Sequence, residues 1–442
     1  MTKPRPPIAL YVHLPFCLAR CPYCDFVVYA GGDARGPRAR TERLYEAVGR
    51  ELEVRADALD VQFGRPPWAP AANPADPAAP VDEAAPADFA APREPLRSVY
   101  FGGGTPSLVP VASLDRLMAI VRARFGVAPD AEVTLEANPG PDERGDLAAF
   151  CRAGVTRVSF GAQSLDAGEL RRLGRRHSPE DVAAAVAGAR AAGIGSVNLD
   201  LLYDAPGQSV AAWEATLRAA LALAPDHLSL YGLTLDDPDA EGITGPGGDH
   251  LPTLPGARRW RERARLDQDD DRAADQYQLA TDLLAAGGWR GYEISNWARP
   301  GHESRHNLAY WEREPYEAVG PGAHAFDGAT RRWNAAAMEP YIAALLPHAG
   351  ASAAPSATPS AAPPGGAESL TPDIARAEQV ILALRLDRGV DEATASRPPL
   401  AAVREWAEAA GLLERTQIDG EWRVRLTTRG RLLSNELFSR LV

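Results

Sequence analysis

The stretch Ile8–Cys24 reads IALYVHLPFCLARCPYC and joins a short apolar run to three closely spaced cysteines. The run Ile8–Phe16 predicts a buried β-strand, so the cysteines follow directly on a strand. Their spacing is C-x3-C-x2-C, formed by Cys17, Cys21 and Cys24. A disulfide framework would spread its cysteines along the chain and suit an exported protein. A cluster this tight indicates metal or redox chemistry instead.

This spacing points to an iron–sulfur cluster with one open iron. Three thiolates on one short loop can each bind a different iron of a 4Fe–4S cubane. The fourth iron then has no protein ligand, and the amino and carboxylate groups of S-adenosylmethionine (SAM) can chelate it. A low-potential cluster can donate one electron to the sulfonium, and the homolysis that follows gives a carbon radical.

Two other readings explain parts of the motif. A structural zinc ion is bound by four protein ligands. His13 or Cys151 could supply the fourth, although neither spacing is typical. The pair Cys21 and Cys24 alone looks like a glutaredoxin dithiol, but that leaves Cys17 unexplained. Cys151 lies in a helical context, where a buried inert thiol is expected.

Strand-like and helical stretches alternate through the first half of the chain. Strands are predicted at Ile8–Phe16, Ser98–Phe101, Val133–Glu136, Arg157–Phe160, Ser196–Leu202 and His227–Leu233. Helices are predicted between them at Glu42–Leu59, Ala112–Phe125, Pro179–Ala192 and Ala211–Ala222. Six such units predict an α/β fold with a parallel sheet, and we favour a partial (β/α)6 TIM-like barrel. Reactive groups are then expected at the carboxyl ends of the strands.

Composition divides the chain into five segments. Three stretches cannot bury enough apolar surface to offset their ordering entropy and are predicted to be unstructured. The three stretches are an insertion at 65–95, a flexible insertion at 236–271 and a low-complexity linker at 347–371. The other segments are a core at 1–235, which contains the first insertion, a region rich in Trp, Tyr and His at 272–346, and a C-terminal domain at 372–442. Helices at Ile374–Leu386, Leu400–Ala410 and Arg429–Leu441 with a strand at Trp422–Leu426 predict an α+β, winged-helix-like C-terminal domain.

Charge and hydropathy narrow the choice of partners. The 442 residues carry a formal net charge of −12, which repels phosphate backbones, so nucleic acid is not expected as a partner. No run approaches the roughly 20 apolar residues of a membrane span. The first residues do not form a secretory signal, so we expect a cytoplasmic protein.

Several motifs in a fixed order resemble the oxygen-independent coproporphyrinogen III oxidase family of radical SAM proteins. The resemblance begins at Tyr11-Val-His-Leu-Pro-Phe-Cys17 and covers about residues 8–235, with a second block around 289–326. It continues through Phe101-Gly-Gly-Gly-Thr-Pro-Ser107, Leu135-Glu-Ala-Asn-Pro139, Ser159-Phe-Gly-Ala-Gln-Ser164 and Asn198-Leu-Asp-Leu-Leu-Tyr203.

The resemblance implies a set of SAM contacts. Tyr11 would touch the methionyl part and Tyr23 would lie beside the adenine. Gly103, Gly104 and Thr105 would hold the amino group and backbone of SAM, because a side chain would block close approach. The remaining polar contacts to ribose and methionine would come from Glu136, Gln163, Arg175 and Asp200, with Arg175 placed to pair with the SAM carboxylate.

Two departures put coproporphyrinogen decarboxylation in doubt. The oxidases have a further cysteine two positions after the third ligand, where this chain has Phe26. They also carry a long segment before the cluster, whereas here the first ligand is residue 17. Both differences fit a sister group, the HemW-type heme chaperones, which implies heme binding and transfer to an acceptor such as a membrane respiratory enzyme. The oxidase activity remains the alternative, and a homodimer is compatible with either.

That sister group also carries a His-Asn-x-x-Tyr-Trp motif. Here it is formed by His306, Asn307, Tyr310 and Trp311. An imidazole is a common axial ligand of heme iron, and aromatic rings offer flat apolar surface to a porphyrin. We therefore predict heme contact near His306. His302 and His324 are alternative ligands that spacing does not rank.

Overall fold

Six parallel strands form the centre of the computed structural model, which describes residues 3–34, 40–69, 92–346 and 362–442. Neighbouring strands pair in chain order, so the predicted parallel α/β fold is confirmed. The strands are β1 (Ala9–Leu14), β2 (Leu96–Gly103), β3 (Val127–Ala137), β4 (Arg157–Gln163), β5 (Ser196–Tyr203) and β6 (His227–Gly232).

Helices between the strands cover the outside of this sheet. They are α1 (Thr41–Phe63), α2 (Val111–Arg124), α3 (Leu147–Ala153), α4 (Ala167–Arg172), α5 (Pro179–Ala191) and α6 (Val210–Ala222). Leu10 and Val12 of β1 pack with Leu44 and Val48 of α1 in one apolar cluster. Successive residues of a strand point to opposite faces, so Tyr11 faces the interior of the partial barrel.

The sheet continues past both of its edges. On the far side, Asn296–Ala298 pairs antiparallel with β6 and with Arg290–Gly291. On the near side, β7 (Tyr316–Val319) pairs parallel with β1, and β8 (His324–Phe326), β9 (Thr330–Asn334) and β10 (Gly365–Ser369) follow antiparallel. The region 272–346 therefore builds extra strands onto the barrel.

The expectation of a flexible segment at 236–271 is wrong. This stretch contains α7 (Pro238–Glu241) and α8 (Pro255–Arg265), and α9 (Asp270–Ala286) begins inside it. Arg261 and Ala264 of α8 are buried. The composition indicated disorder because α8 is rich in arginine and poor in apolar residues. A helix of this kind is stabilised by tertiary contacts rather than by its own apolar content.

The two other low-complexity predictions are only partly covered by the structure. Residues 70–91 of the predicted insertion and 347–361 of the predicted linker lie outside the described residues. The end of the linker prediction is wrong, since β10 lies within it. β10 pairs with β9 through backbone groups, so the strand does not depend on apolar side chains.

The C-terminal segment combines helices with a β-hairpin around its own apolar cluster. The hairpin joins Leu413–Ile418 to Glu421–Leu426, and Val390–Asp391 pairs with its second strand. The helices are α10 (Arg305–Trp311) and α11 (Met338–Leu345) before this segment, and α12 (Pro372–Arg385), α13 (Glu392–Ala395), α14 (Leu400–Ala409), α15 (Thr428–Leu432) and α16 (Ser434–Phe438) within it. The single helix predicted at Arg429–Leu441 is two short helices. Among the described residues, no helix is long and apolar enough to cross a membrane.

Candidate functional site

The cysteine loop is fixed at both of its ends. Phe16–Cys17 pairs with Tyr29–Ala30 in a short parallel ladder, which closes the loop between them. Within the loop, the Cys24 N–H donates to the Cys21 carbonyl at 3.2 Å. Cys17 is buried, whereas Cys21 and Cys24 are half-buried. The three thiols therefore share one short loop beyond the carboxyl end of β1, as the sequence predicts.

The surroundings of Cys17 and Cys24 oppose ionisation of their thiols. Burial raises the pKa of Cys17 and of Cys24 to about 12. Arg175 Nη1 donates to Cys21 Sγ at 3.4 Å, and Thr105 Oγ1 lies 3.2 Å from Cys17 Sγ. Because thiolates rather than thiols bind metals, positive iron would offset the cost of ionising these buried groups.

A cubane and a zinc ion place different requirements on the three thiols. Within the described residues, no group of three or more Cys, His, Asp and Glu side chains converges as one metal ion requires. A 4Fe–4S cluster has no such requirement, because each cysteine binds a different iron. His13 is also engaged, since its Nδ1 lies 3.0 Å from the Tyr11 hydroxyl and its Nε2 lies 3.0 Å from the Val27 carbonyl oxygen. Ligation of a cluster by Cys17, Cys21 and Cys24 stays a prediction.

The glycine run at the end of β2 lies against the cysteine loop. The Gly104 N–H donates to the Leu14 carbonyl at 3.0 Å, and Thr105 N–H donates to the Phe16 carbonyl at 2.8 Å. A Cβ on Gly104 would lie only 2.7 Å from the Phe16 carbonyl oxygen. Gly103 has φ +116°, a conformation that L side chains rarely adopt. Glycine is therefore needed where two backbones approach beside the thiols.

Two half-buried carboxylates lie inside the barrel near this run. Glu136 accepts hydrogen bonds from the Tyr100 hydroxyl at 2.7 Å and from the Gly103 N–H at 3.0 Å. Burial raises the pKa of Glu136 to about 7, and the nearby Asp200 adds to the shift. Asp200 accepts from Ser159 and Asn198, and burial raises its pKa as well. Both carboxyl groups are hydrogen-bonded within the protein, and their contact with SAM stays a prediction.

Arg175 links the cysteine loop to the ends of β3 and β4. It donates to the Gly161 carbonyl at 2.7 Å and to the Asn138 side chain as well as to Cys21. Gln163 lies nearby with a left-handed φ of +66°, close to Gly161. The carboxylate of SAM, which is the predicted partner of Arg175, would therefore approach at the same edge as the glycine run.

One contact to the cysteine loop comes from the segment 236–271, which the sequence predicts to be a flexible insertion. Arg261 of α8 donates to the carbonyls of Pro22, Tyr23 and Cys24 at 3.2, 3.3 and 3.0 Å. Its neighbour Trp260 lies 6.3 Å from the Tyr23 ring, centroid to centroid. No signal in the sequence identifies Arg261, because the contact joins residues more than 200 positions apart.

The predicted heme motif lies at the opposite end of the barrel. His306 is buried, with Nδ1 2.9 Å from Ser98 Oγ and Nε2 2.8 Å from the Tyr310 hydroxyl. Ser98 stands near the start of β2 and Gly103 at its end, about 17 Å apart at roughly 3.3 Å per residue. Burial lowers the pKa of His306 to about 3, so its ring is neutral. Both ring nitrogens of His306 have a hydrogen-bond partner. Heme ligation through Nε2 therefore requires the Tyr310 hydroxyl to move away from that atom.

The other candidate heme residues occupy different surroundings. The guanidinium of Arg385 lies 4.6 Å from the centre of the Trp311 ring, which packs against α12. Asn307 is half-buried on α10. His302 Nδ1 lies 3.2 Å from Ser196 Oγ. His324 is exposed, and its Nε2 lies 2.8 Å from Asp249. The structure therefore groups His306 with Tyr310 and separates them from His324.

Comparison with known proteins places these features in a family. The model of the radical SAM superfamily matches residues 11–220. A heme chaperone named HemW from Mycobacterium tuberculosis is 37% identical over 442 residues, which is 99% of this chain and 96% of the relative. The HemW heme chaperone of Escherichia coli is 34% identical over 72% of this chain and 70% of its own length.

A solved structure agrees with the fold. The coproporphyrinogen III oxidase HemN of Escherichia coli, a radical SAM enzyme, superposes with a TM-score of 0.71 over 99% of this chain and 91% of its own. The two sequences are 22% identical, so this likeness concerns the fold alone.

Proposed function

This chain belongs to the HemW family of heme chaperones within the radical SAM superfamily, and from that membership we propose that it binds heme and passes it to an acceptor protein. The observation that carries the proposal is the similarity to a heme chaperone along 99% of the chain. Phe26 supports it, because this exposed residue stands where the oxidases have a further cysteine. The acceptor is proposed to be a membrane respiratory enzyme, reached from the cytoplasm, and the working unit a homodimer.

A 4Fe–4S cluster and SAM belong to the proposal as bound cofactors. Cys17, Cys21 and Cys24 would hold the cluster, and SAM would lie between the glycine run, Glu136, Gln163, Arg175 and Asp200, with Tyr11 and Tyr23 at its ends. The cluster supplies one-electron reduction of a SAM that is chelated to its open iron. The residues themselves exclude water, hold the loop and present polar groups to the ribose and methionine moieties.

Heme is proposed to bind at the His306 end of the barrel, with Asn307, Tyr310 and Trp311 around it. An imidazole whose pKa lies near 3 stays neutral at any physiological pH, as a metal ligand must. The Tyr310 hydroxyl occupies the Nε2 atom in this structure, so binding exchanges that hydrogen bond for iron.

Anaerobic reconstitution followed by hemin titration tests this function. We expect a Soret band that saturates with hemin, weaker binding in His306→Ala, and transfer of the bound heme to an apo-globin added as acceptor. His302→Ala and His324→Ala serve as comparison variants for the ligand. Unchanged binding in His306→Ala with a loss in one of the other two would move the ligand there.

The alternative activity is tested with the same protein. Coproporphyrinogen III, SAM and a reductant are supplied anaerobically, and porphyrin products are separated by chromatography. We expect no decarboxylation. Stoichiometric conversion to protoporphyrinogen with SAM consumption would instead establish an oxidase and overturn the chaperone proposal.

A further inference from the structure

A cavity of about 220 Å³ opens beside the heme motif, between the outer strands and helix α12. Its walls are aromatic. The Tyr310 and Tyr316 rings meet edge to face at 4.5 Å, and Phe326 lies 6.3 Å from Tyr316. Ile381 and Leu382 of α12 close the other side. The cavity therefore offers flat apolar surface with its inner wall formed by Tyr310.

The rim of this cavity is lined by two arginines and one glutamate. Arg313 and Arg331 both line it, and both pair with the same carboxylate, Glu378. The contacts of Arg313 are long, at 3.5 Å to Glu378 and 3.4 Å to the Gly328 carbonyl. Its Nη2 atom is buried and has no hydrogen-bond partner in the described structure. A buried guanidinium nitrogen without a partner is costly, and an anion would satisfy it.

Further charged groups surround the rim, where Arg331 also pairs with Glu368 and Arg5 pairs with Glu314. Burial lowers the pKa of Arg313, and the positive charges of Arg331 and Arg5 lower it further. The Arg313 guanidinium also lies 4.7 Å from the centre of the Phe326 ring. Charge and aromatic surface therefore meet at one point of the rim, which suits a carboxylate carried on a flat apolar ring.

We propose that this cavity binds the carboxylate-bearing edge of a porphyrin, with a propionate accepted by Arg313 and Arg331. The ring edge lies against Tyr316 and Phe326. This inference rests on the proposed function and deepens it, because it assigns the propionate site of the heme ligand.

Tyr310 stands between this site and His306. Its ring lines the cavity, while its hydroxyl lies 2.8 Å from His306 Nε2. Displacement of the phenol by an incoming porphyrin exposes the imidazole to the same cavity. A volume of about 220 Å³ is smaller than the roughly 300–1,000 Å³ of sites that enclose a whole ligand, so only one edge enters. The rest of the heme stays accessible to an acceptor.

The test compares hemin with hemin dimethyl ester, in which both propionates are masked. The wild type should bind hemin more tightly than the diester. In Arg313→Gln or Arg331→Gln, hemin affinity should fall about tenfold while diester affinity stays within twofold, since one charge-assisted contact is lost. Arg388→Gln is the matched control, because Arg388 is an exposed arginine paired with Glu312 and neither residue lines the cavity. It should behave as the wild type.

A second variant works in the opposite direction and does not depend on removing a buried arginine. Glu378→Gln removes the carboxylate that Arg313 and Arg331 share and leaves Arg331 its pair with Glu368, so hemin should bind more tightly and the diester should not. If Arg313→Gln retains the preference for hemin over the diester, or Glu378→Gln weakens hemin binding, the propionate site is refuted. Wild-type protein that binds both compounds equally well also refutes it and leaves heme binding intact. Wild-type protein that binds neither compound counts against the proposed function itself.

Discussion

Ser98 and Gly103 stand at opposite ends of one strand and serve two different candidate sites. Ser98 Oγ lies 2.9 Å from His306, whereas the Gly103 N–H donates to Glu136 beside the cysteine loop. Heme at His306 and a cluster at the cysteines would therefore be separated by the barrel interior. Tyr100 spans this interior, since its hydroxyl donates to Glu136 and its ring lies 5.0 Å from the His306 ring.

Cysteine substitutions separate the predicted ligands from the remaining thiol. Cys17→Ser, Cys21→Ser and Cys24→Ser should each abolish stable iron incorporation, because a cubane held by two thiolates is lost readily. Cys151→Ser should keep full iron and sulfide content. Iron and sulfide are measured per chain after anaerobic reconstitution. Retention of a full cluster in any of the first three variants would contradict the assignment.

Arg261→Gln should loosen the cysteine loop. The substitution removes a buried charge that donates to three consecutive loop carbonyls, at a cost of about 1–3 kcal/mol. We expect lower cluster retention during dilution and a lower midpoint potential, since a nearby positive charge favours the reduced cluster. Arg258→Gln is the control, because Arg258 lies on the same helix and pairs at the surface with Asp237 and Asp239. Equal retention and potential in both variants would exclude a positioning role for Arg261.

Gly104→Ala should also disturb the loop, by steric contact rather than loss of charge. Its Cβ would lie 2.7 Å from the Phe16 carbonyl oxygen, so one backbone must shift. We expect about 1–3 kcal/mol of destabilisation and poor cluster loading. Gly256→Ala, with no atom within 4 Å of the new Cβ, should be neutral or slightly stabilising. Thermal unfolding and iron content are the measurements, and a fully loaded, stable Gly104→Ala protein would contradict the packing argument.

The raised pKa of Glu136 predicts a pH-dependent stability. Its pKa in the folded protein is about 7, above the ordinary 4.5, so the fold favours the protonated form. The resulting stabilisation is complete below about pH 4.5 and is lost as the pH rises through about 7, amounting to about 3 kcal/mol at most. Glu136→Gln should therefore gain stability relative to the wild type between pH 5 and pH 8.

Thermal unfolding of the metal-free protein across this pH range measures the effect. Glu214→Gln is the control, because Glu214 pairs with Arg218 on the exposed side of α6. Parallel stability curves for wild type and Glu136→Gln would show that Glu136 ionises normally.

Tyr310→Phe tests the hydrogen bond between the Tyr310 hydroxyl and His306 Nε2. The variant keeps the aromatic wall but removes the hydroxyl 2.8 Å from Nε2, so hemin should bind faster and more tightly. Tyr45→Phe, a buried tyrosine of α1, is the control. Hemin association is followed by stopped-flow absorbance. Slower or weaker binding in Tyr310→Phe would mean that the phenol assists heme directly.

The hydrophobic pattern of the sequence predicted the strands and helices of the barrel, because residues close together in the sequence specify each of them. The run Ile8–Phe16 and the helix pattern Leu44, Val48 and Leu52 carry their own periodicity, and the structure places them in one apolar cluster. Pattern failed for α8, whose arginine-rich sequence has no apolar stripe long enough to indicate a helix. It also failed for β10, an edge strand that is stabilised by backbone pairing with β9 and not by its own side chains.

By itself, the sequence determined which motifs this protein carries: three cysteines on one loop, a glycine run and a histidine–tyrosine pair, all set by residue type and spacing. Only the tertiary structure decided that Arg261 donates to the cysteine loop, that His306 is buried with both nitrogens occupied, and that Arg313 lines a cavity beside Tyr310. These contacts join residues far apart along the chain or depend on burial, and neither property is encoded in local spacing.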